Sequence, residues 1–447
     1  MNFNSEKMKE LSKLGLGEAD IIACLEEMKD VDHRFVSEEF IADFTTGKLS
    51  RFYSYAINPD NNVNILFRGN GKNPTITLYK NNHVFMEIQR TEAMGACTVS
   101  FDFNHARYTE DYINVYKWFA NKMSFEEKDV IVLPKYVKSK KDKLTYFSGG
   151  EAESISWKFS KKPDDSLVDE IFKKIDSLFD DFFDVKKNHD YFLDAARKLN
   201  DGKPDSPQLT EDSDNAGRLV EKRWQQKFFK EFHKEANLRG GIYIYDMEYQ
   251  QRMPHAEEVK EGYKKLHGML PSQEEFDLLK SHSMQKILSG CLNNPDFMAV
   301  EYVGDVPTYL VFGEIKSTVA ACTGPSGIDK HLQNMKNYND MNLLIEYRKK
   351  DAHAIMENYK GIGHISSNVV IPSFEKIKLK NILILTDSVY ADKGQIHDNH
   401  DGAVNYYSDE IRRKELIEKC KEYGCDLWFV YGKLEDAIKV EKIYEQN

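Results

Sequence analysis

The chain has 447 residues, of which 41% are hydrophobic and 30% charged, a globular composition with room for two or three separate cores. Its formal net charge of −11 argues against a protein that coats nucleic acid indiscriminately, although one cleft can still be locally positive or metal-neutralised. No apolar run reaches membrane-spanning length and the N-terminus lacks a signal-peptide core, so a cytoplasmic protein without a membrane partner is expected.

In chain order, Ser5 to Lys29 carries helical periodicity broken by Gly15 and Gly17. From Asn62 to Tyr108 the pattern turns to strands: VNILFR, TITLYK, VFMEIQR and CTVSFDF, with Asn81-Asn82 reading as a hairpin turn. A helix is predicted from Tyr112 to Met123, then strands in DVIVLPKYV and SISWKFS, then amphipathic helix from Ser166 to Leu199. Residues 1–200 therefore read as an α+β domain, assigned a recognition or regulatory role. Residues 201–215 lie in a stretch of proline and acidic residues without apolar periodicity, which reads as a linker. The six cysteines form no CxxC pair and read as reduced thiols.

Residues 216–447 form the second expected domain. AGRLVEKRWQQKFFKEFHKEA has helical periodicity, Gly240-Gly241 ends it, and IYIYDMEY follows as a strand. Residues 250–292 read as a largely helical insertion. PDFMAVEYV and TYLVFGEIKS, joined by a Gly/Asp/Pro turn, are then a β-hairpin. Counting back from the turn sets Asp296 opposite the Glu314–Lys316 segment, to within one residue of register. Glu314 and Lys316 project from one face because they are two apart on a strand. Two carboxylates and an ammonium at one end of an apolar scaffold need a partner, and a hard divalent cation is the obvious one. After the hairpin come a helix from about Ile328, helical sequence near Tyr347, the strand NILILTD, a helix from Ser408 to Tyr423 and the strand CDLWFVY.

Pro295-Asp296 and Glu314-Ile315-Lys316, presented on a hairpin, resemble the PD-(D/E)XK nuclease superfamily. The order of elements resembles its αβββαβ core with one extra element. The resemblance implies an α/β chain whose C-terminal half is a nuclease domain with a mixed sheet. It implies that Asp296 and Glu314 hold Mg²⁺, with Mn²⁺ a possible substitute, and that Lys316 positions the attacking water or meets charge on phosphate. The Ile315 carbonyl is a further expected ligand. Glu221, on the first helix, matches the Glu that completes the metal site in family members, with Glu231 and Glu235 as competitors. Gln333, in HLQNMKNY, resembles the Gln found on the helix after the ExK strand, with Lys330 and Lys336 beside it. Tyr338 falls one residue beyond the family's usual spacing. Glu221, Trp224-Gln225, Pro295-Asp296-Phe297 and Glu314-Ile315-Lys316 together are similar to Shedu-type antiphage nucleases, which differ by lacking the long insertion.

The expected activity is thus metal-dependent endonucleolytic hydrolysis of DNA, with a role in antiphage defence and a homo-oligomeric state implied by resemblance alone. A nuclease-fold module that binds without cutting, and an RNA-cleaving effector, are the alternatives. Three polar groups are open to two readings, solvated surface or ligand contact. They are the His397–Asp401 loop, the lysines from Lys135 to Lys143, and Lys260, Lys264, Lys265 and Lys286 with His267 and His282.

Overall fold

The computed structural model describes residues 3–30, 34–70, 73–80, 83–91, 95–102, 130–134, 152–183, 221, 224–248, 251–289, 292, 294–323, 327–386, 402–431 and 437–446. The helix expected at 112–123, the linker, Lys135–Lys143 and the His397–Asp401 loop lie outside these. The protein is α/β, with one antiparallel sheet, one mixed sheet and helices. No helix among the described residues is long and apolar enough to cross a membrane.

Two compact units divide the chain, one made of residues 34–226 and the other of residues 1–33 with 227–447. This differs from the expected division at 201–215, because the first helices belong with the C-terminal part. Ser5–Lys13 and Glu18–Glu26 are helices, and the second packs on the helix Ala256–His267. Contact is close at Gly262, where a Cβ would stand 2.6 Å from the Ala23 carbonyl oxygen. His267 Nε2 lies 2.5 Å from Asp20 Oδ1, Lys265 pairs with Glu27 at 2.7 Å, and the Asn4 N–H donates to the Ile287 carbonyl. Amphipathic sequence requires that a helix bury a face, but it does not say against which partner.

The 34–226 unit holds strands β1 (Val63–Asn70), β2 (Asn73–Lys80), β3 (His83–Thr91), β4 (Ala96–Asp102), β5 (Val130–Pro134) and β6 (Ala152–Phe159). They form an antiparallel sheet in the order β1-β2-β3-β4-β6-β5. Lys80 pairs with His83 across the Asn81-Asn82 step, and Ile76, Ile88, Val99 and Trp157 make one row across four strands. The helix Asp165–Phe183 buries Val168, Ile171, Phe172 and Ile175, the 3.6-residue stripe of a core-facing helix. The Phe172 ring packs edge-on against Phe52 at 5.7 Å, and Phe52 stacks on Phe159 at 6.4 Å.

The other unit holds β7 (Gly241–Met247), β8 (Phe297–Val303), β9 (Val306–Lys316), β10 (Lys378–Thr386), β11 (Cys425–Tyr431) and β12 (Lys439–Tyr444). Their spatial order is β12-β11-β10-β9-β8-β7. Pairing is parallel for β9–β10 and β10–β11, and antiparallel elsewhere. The segments Ile382–Leu385 of β10 and Leu427–Val430 of β11 are continuous apolar runs and buried throughout, as expected of strands covered on both faces. On one face Leu383, Leu385, Leu427 and Phe429 pack with Ile328, Leu332 and Met335 of the helix Ile328–Asn339, and with Leu416 and Cys420 of the helix Glu410–Tyr423. Near the start of β10, Lys380 pairs with Glu301 at 2.8 Å and Asp426 at 3.2 Å. His233 is buried, donates from Nδ1 to the Ile244 carbonyl at 2.7 Å, and stacks on His364 at 4.1 Å.

Candidate active site

The β8–β9 hairpin turns through Gly304-Asp305, with Val303 paired to Val306 and Gly304 at φ +59°. That left-handed backbone suits glycine in a two-residue hairpin turn. One bulge lies between Glu301 and Tyr302, and from there the register runs unbroken to Phe297 opposite Gly313. Asp296, the residue before β8, therefore sits level with Glu314. Its Oδ2 accepts from the Ile315 N–H at 2.6 Å, and its carbonyl accepts from the Glu248 N–H at 2.9 Å. Glu248 has φ +47°, a conformation that few non-glycine residues adopt.

Gly313 and Phe297 lock this register. The Phe297 ring lies across Gly313, so that a Cβ there would stand 2.0 Å from Phe297 Cζ. Phe228 stacks on Phe297 at 6.4 Å. A glycine one residue before Glu314 is thus required by the phenylalanine one residue after Asp296.

Glu314 is 1% exposed. Its Oε1 receives Lys316 Nζ at 2.6 Å and His331 Nδ1 at 3.0 Å. Its Oε2 is buried and has no hydrogen-bond partner among the described residues. Burial pushes the Glu314 carboxyl up, but Lys316 and His331 together outweigh it and hold the group below the usual carboxylate range. Lys316 is buried as well, at 6% exposure.

The structure brings Asp296, Glu314, Ile315 and Lys316 together. Ile315 contributes its N–H to Asp296, while its side chain is fully buried. Gln333 is directed elsewhere, its amide donating to Asn337 Oδ1 at 2.7 Å. On a helix of 3.6 residues per turn, residue 333 lies about 200° round from residue 331, and it is His331 that reaches Glu314. Lys330 is exposed, and Lys336 sits 5.3 Å over the Tyr423 ring. Glu221 is helical and half-buried, and belongs to the 34–226 unit. Of its competitors, Glu231 pairs with Lys234 at 3.1 Å and Glu235 accepts from the N–H and hydroxyl of Ser366. Among the lysines of the helical insertion, Lys260 lies over the Phe276 ring and Lys265 is paired with Glu27, whereas Lys264 and Lys286 are exposed.

Tyr338 is fully buried, and burial pushes its hydroxyl pKa up. The hydroxyl donates to Gln251 Oε1 at 2.9 Å, which also receives Arg348 Nε at 3.1 Å. The Arg348 guanidinium stacks 4.1 Å over the Tyr338 ring and 5.0 Å over Phe312, two residues before Glu314. Sequence reading missed this buried arginine and the contact of His331 with Glu314. The signal available for His331 is its flanking position beside the apolar stripe Ile328, Leu332 and Met335.

Among the described residues, no group of three or more His, Cys, Asp and Glu side chains is arranged to hold a metal ion. The donor set is two carboxylates, of which one oxygen is buried and unpartnered. In ligand type it matches a hard cation such as Mg²⁺, which is commonly held through one or two carboxylates. Comparison with family models, curated proteins and solved structures finds no match to this chain.

Proposed function

We propose that the chain is a Mg²⁺-dependent nuclease of the PD-(D/E)XK type, that its substrate is DNA, and that Asp296, Glu314 and Lys316 carry the reaction. The observation that carries this reading is the buried, unpartnered Oε2 of Glu314. An ionised carboxylate oxygen shut away from water without a donor is expensive unless something positive occupies it. Asp296, level with Glu314 and clamped through Ile315, supplies a second carboxylate. Further support comes from the sheet, in which the hairpin pairs antiparallel and β9 pairs parallel with β10. Both strands then end beside Glu314–Lys316, where open α/β sheets commonly take ligands.

When bound there, Mg²⁺ supplies neutralisation of phosphate charge and a water of lowered pKa. The Ile315 N–H holds Asp296 Oδ2 at 2.6 Å, which fixes the carboxylate beside Glu314. Lys316 sits 2.6 Å from Glu314 and is the ammonium placed to meet negative charge developing on phosphate. The hydrophobic wall of Phe297, Phe312 and Ile315, each almost fully buried, keeps the scaffold under these groups rigid. A role in antiphage defence rests on the Shedu resemblance alone.

The test is incubation of the full chain with linear, circular and single-stranded DNA and with RNA, each with Mg²⁺ and with excess chelator. Mg²⁺-dependent cutting of DNA is expected. Cutting in chelator, or binding without cutting under every condition, defeats the proposal, and cutting confined to RNA moves the substrate.

A further inference from the structure

Glu314 is held asymmetrically. Two donors, Lys316 Nζ and His331 Nδ1, converge on Oε1, while Oε2 receives none among the described residues. An ionised carboxylate has no proton to give, so the proton in the second contact is on Nδ1 and His331 is the donor. The two donors differ in what they are free to do. Lys316 is on the same strand as Glu314, and the proposed chemistry needs its ammonium for the substrate. His331 is anchored on the helix Ile328–Asn339, between Ile328, Leu332 and Met335, which are all buried.

The geometry points to His331 as a positioning residue for Glu314. It keeps Oε1 fixed when Lys316 turns to phosphate, so that Oε2 stays presented to the cation. This rests on the reading of the site as a Mg²⁺ centre and adds to it a residue outside the Asp296, Glu314 and Lys316 set. Without His331, a departing Lys316 leaves Oε1 with no donor, and the carboxylate can rotate about its last torsion, which has only broad preferences. Gln333 cannot substitute while its amide is bound to Asn337. The His331 side chain is 25% exposed, so its removal opens no core cavity.

Loss of a group that orients a metal ligand typically lowers metal affinity by about 10- to 100-fold. The test is Mn²⁺ binding to the full chain, by electron paramagnetic resonance and calorimetry, for wild type, Glu314→Gln, His331→Ala, His331→Asn and His331→Gln. Asparagine places an amide nitrogen near the position of Nδ1, whereas glutamine carries it one bond farther. His331→Ala should weaken Mn²⁺ binding by about 10-fold or more, His331→Asn should recover most of the loss, and His331→Gln should not. Thermal melting should stay close to wild type in all three. Unchanged Mn²⁺ affinity in His331→Ala overturns the inference even if Glu314→Gln abolishes binding. Rescue by glutamine as good as by asparagine also overturns it, because bulk rather than the Nδ1 position would then be what matters. If His331→Ala fails to fold, a folded His331→Asn that binds Mn²⁺ no better than His331→Gln decides against it. Wild-type Mn²⁺ binding that ignores Glu314→Gln sinks the metal reading itself, and this inference with it.

Discussion

Replacing Gly313 by alanine should damage the protein through one contact. The added Cβ would stand 2.0, 2.1 and 2.4 Å from three atoms of the Phe297 ring, whereas carbon atoms in contact sit at about 3.5–4.0 Å. Relief needs a shift of roughly 1.5 Å. Phe297 is 2% exposed and backed by Phe228, so the ring has no free space to enter. Overpacking of this kind costs about 1–3 kcal/mol, and a clash this deep belongs at the upper end. Phe297→Ala alone should cost about 3–5 kcal/mol by cavity formation. The two together should cost scarcely more than Phe297→Ala, because the methyl group enters the space the ring has left. The coupling should be about 2–3 kcal/mol, within the range for residues in contact. Urea unfolding of the four proteins measures it. Because Gly313 precedes Glu314 and Phe297 follows Asp296, the same shift also pulls Asp296 away from the Ile315 N–H. DNA cleavage by Gly313→Ala should then fall by about 100-fold, the usual consequence of a 1 Å misplacement. A wild-type urea midpoint for Gly313→Ala, or strict additivity in the cycle, refutes the reasoning.

Asp296→Asn should abolish Mg²⁺-dependent cleavage with little change in melting temperature, whereas Glu314→Ala should abolish cleavage and also cost about 3–5 kcal/mol by leaving Lys316 buried without its carboxylate; calorimetry beside a cleavage assay separates the two. Lys316→Met should slow cutting by at least about 100-fold while DNA binding in Ca²⁺ changes little, and full rescue by added Mg²⁺ would show that the lysine serves the metal rather than the transition state. Lys380→Met should cost about 3–5 kcal/mol, since it takes the shared cation from the buried Asp426 and the largely buried Glu301, and a neutral effect in urea unfolding would remove that cluster from the list of structural ties. Burial holds the imidazole of His233 well below its usual range, with His364 beside it adding to the effect, and burial lowers His364 as well. Both are neutral in the folded protein and take up protons on unfolding below about pH 6.5, so stability is full above that pH and falls as pH drops toward the folded-state values. Melting temperature should therefore fall between about pH 7.5 and 5.5, and less steeply in His364→Asn; an identical slope in the variant argues against the pair as its source.

The hairpin was legible because every constraint on it is local. Apolar runs, a Gly/Asp/Pro turn and a side-chain period of two place Asp296 opposite the Glu314–Lys316 segment to within one residue. The bulge between Glu301 and Tyr302, which no sequence pattern marks, is what sets it level with Glu314 rather than Gly313. The wall behind it was legible only as hydrophobicity. That the Phe297 ring lies on Gly313 depends on its backing by Phe228, and that Arg348 lies over both the Tyr338 and Phe312 rings depends on how helices meet the sheet. Helical phase decided His331 against Gln333 in the same way. Sequence places both on one helix, but only packing shows which edge of that helix faces Glu314. The strand Lys439–Tyr444 went unread because its burial is partial and charged residues take three of its six positions, so no apolar alternation marks it. The division between units was unreadable for a related reason, since the apolar faces of Ser5–Glu26 name no partner.

That division has a consequence for synthesis. The helices Ser5–Lys13 and Glu18–Glu26 bury Leu11, Ile21, Cys24 and Leu25 within a unit whose other residues begin at Lys227. The helix that receives the second of them, Ala256–His267, leaves the ribosome about 230 residues after Glu26, and Ser281–Ile287, which meets the first, follows later still. At the usual elongation rate of roughly 5–20 residues per second, the wait is on the order of 10–50 seconds. The whole of the 34–226 unit is made in that interval and is continuous in sequence, so it can reach its own fold first. The two leading helices meanwhile hold an uncovered apolar stripe beside a nascent chain, the kind of surface that chaperones bind and that seeds aggregation when unguarded. That stripe stays uncovered until Ala256–His267 is made, before any residue of the candidate active site exists.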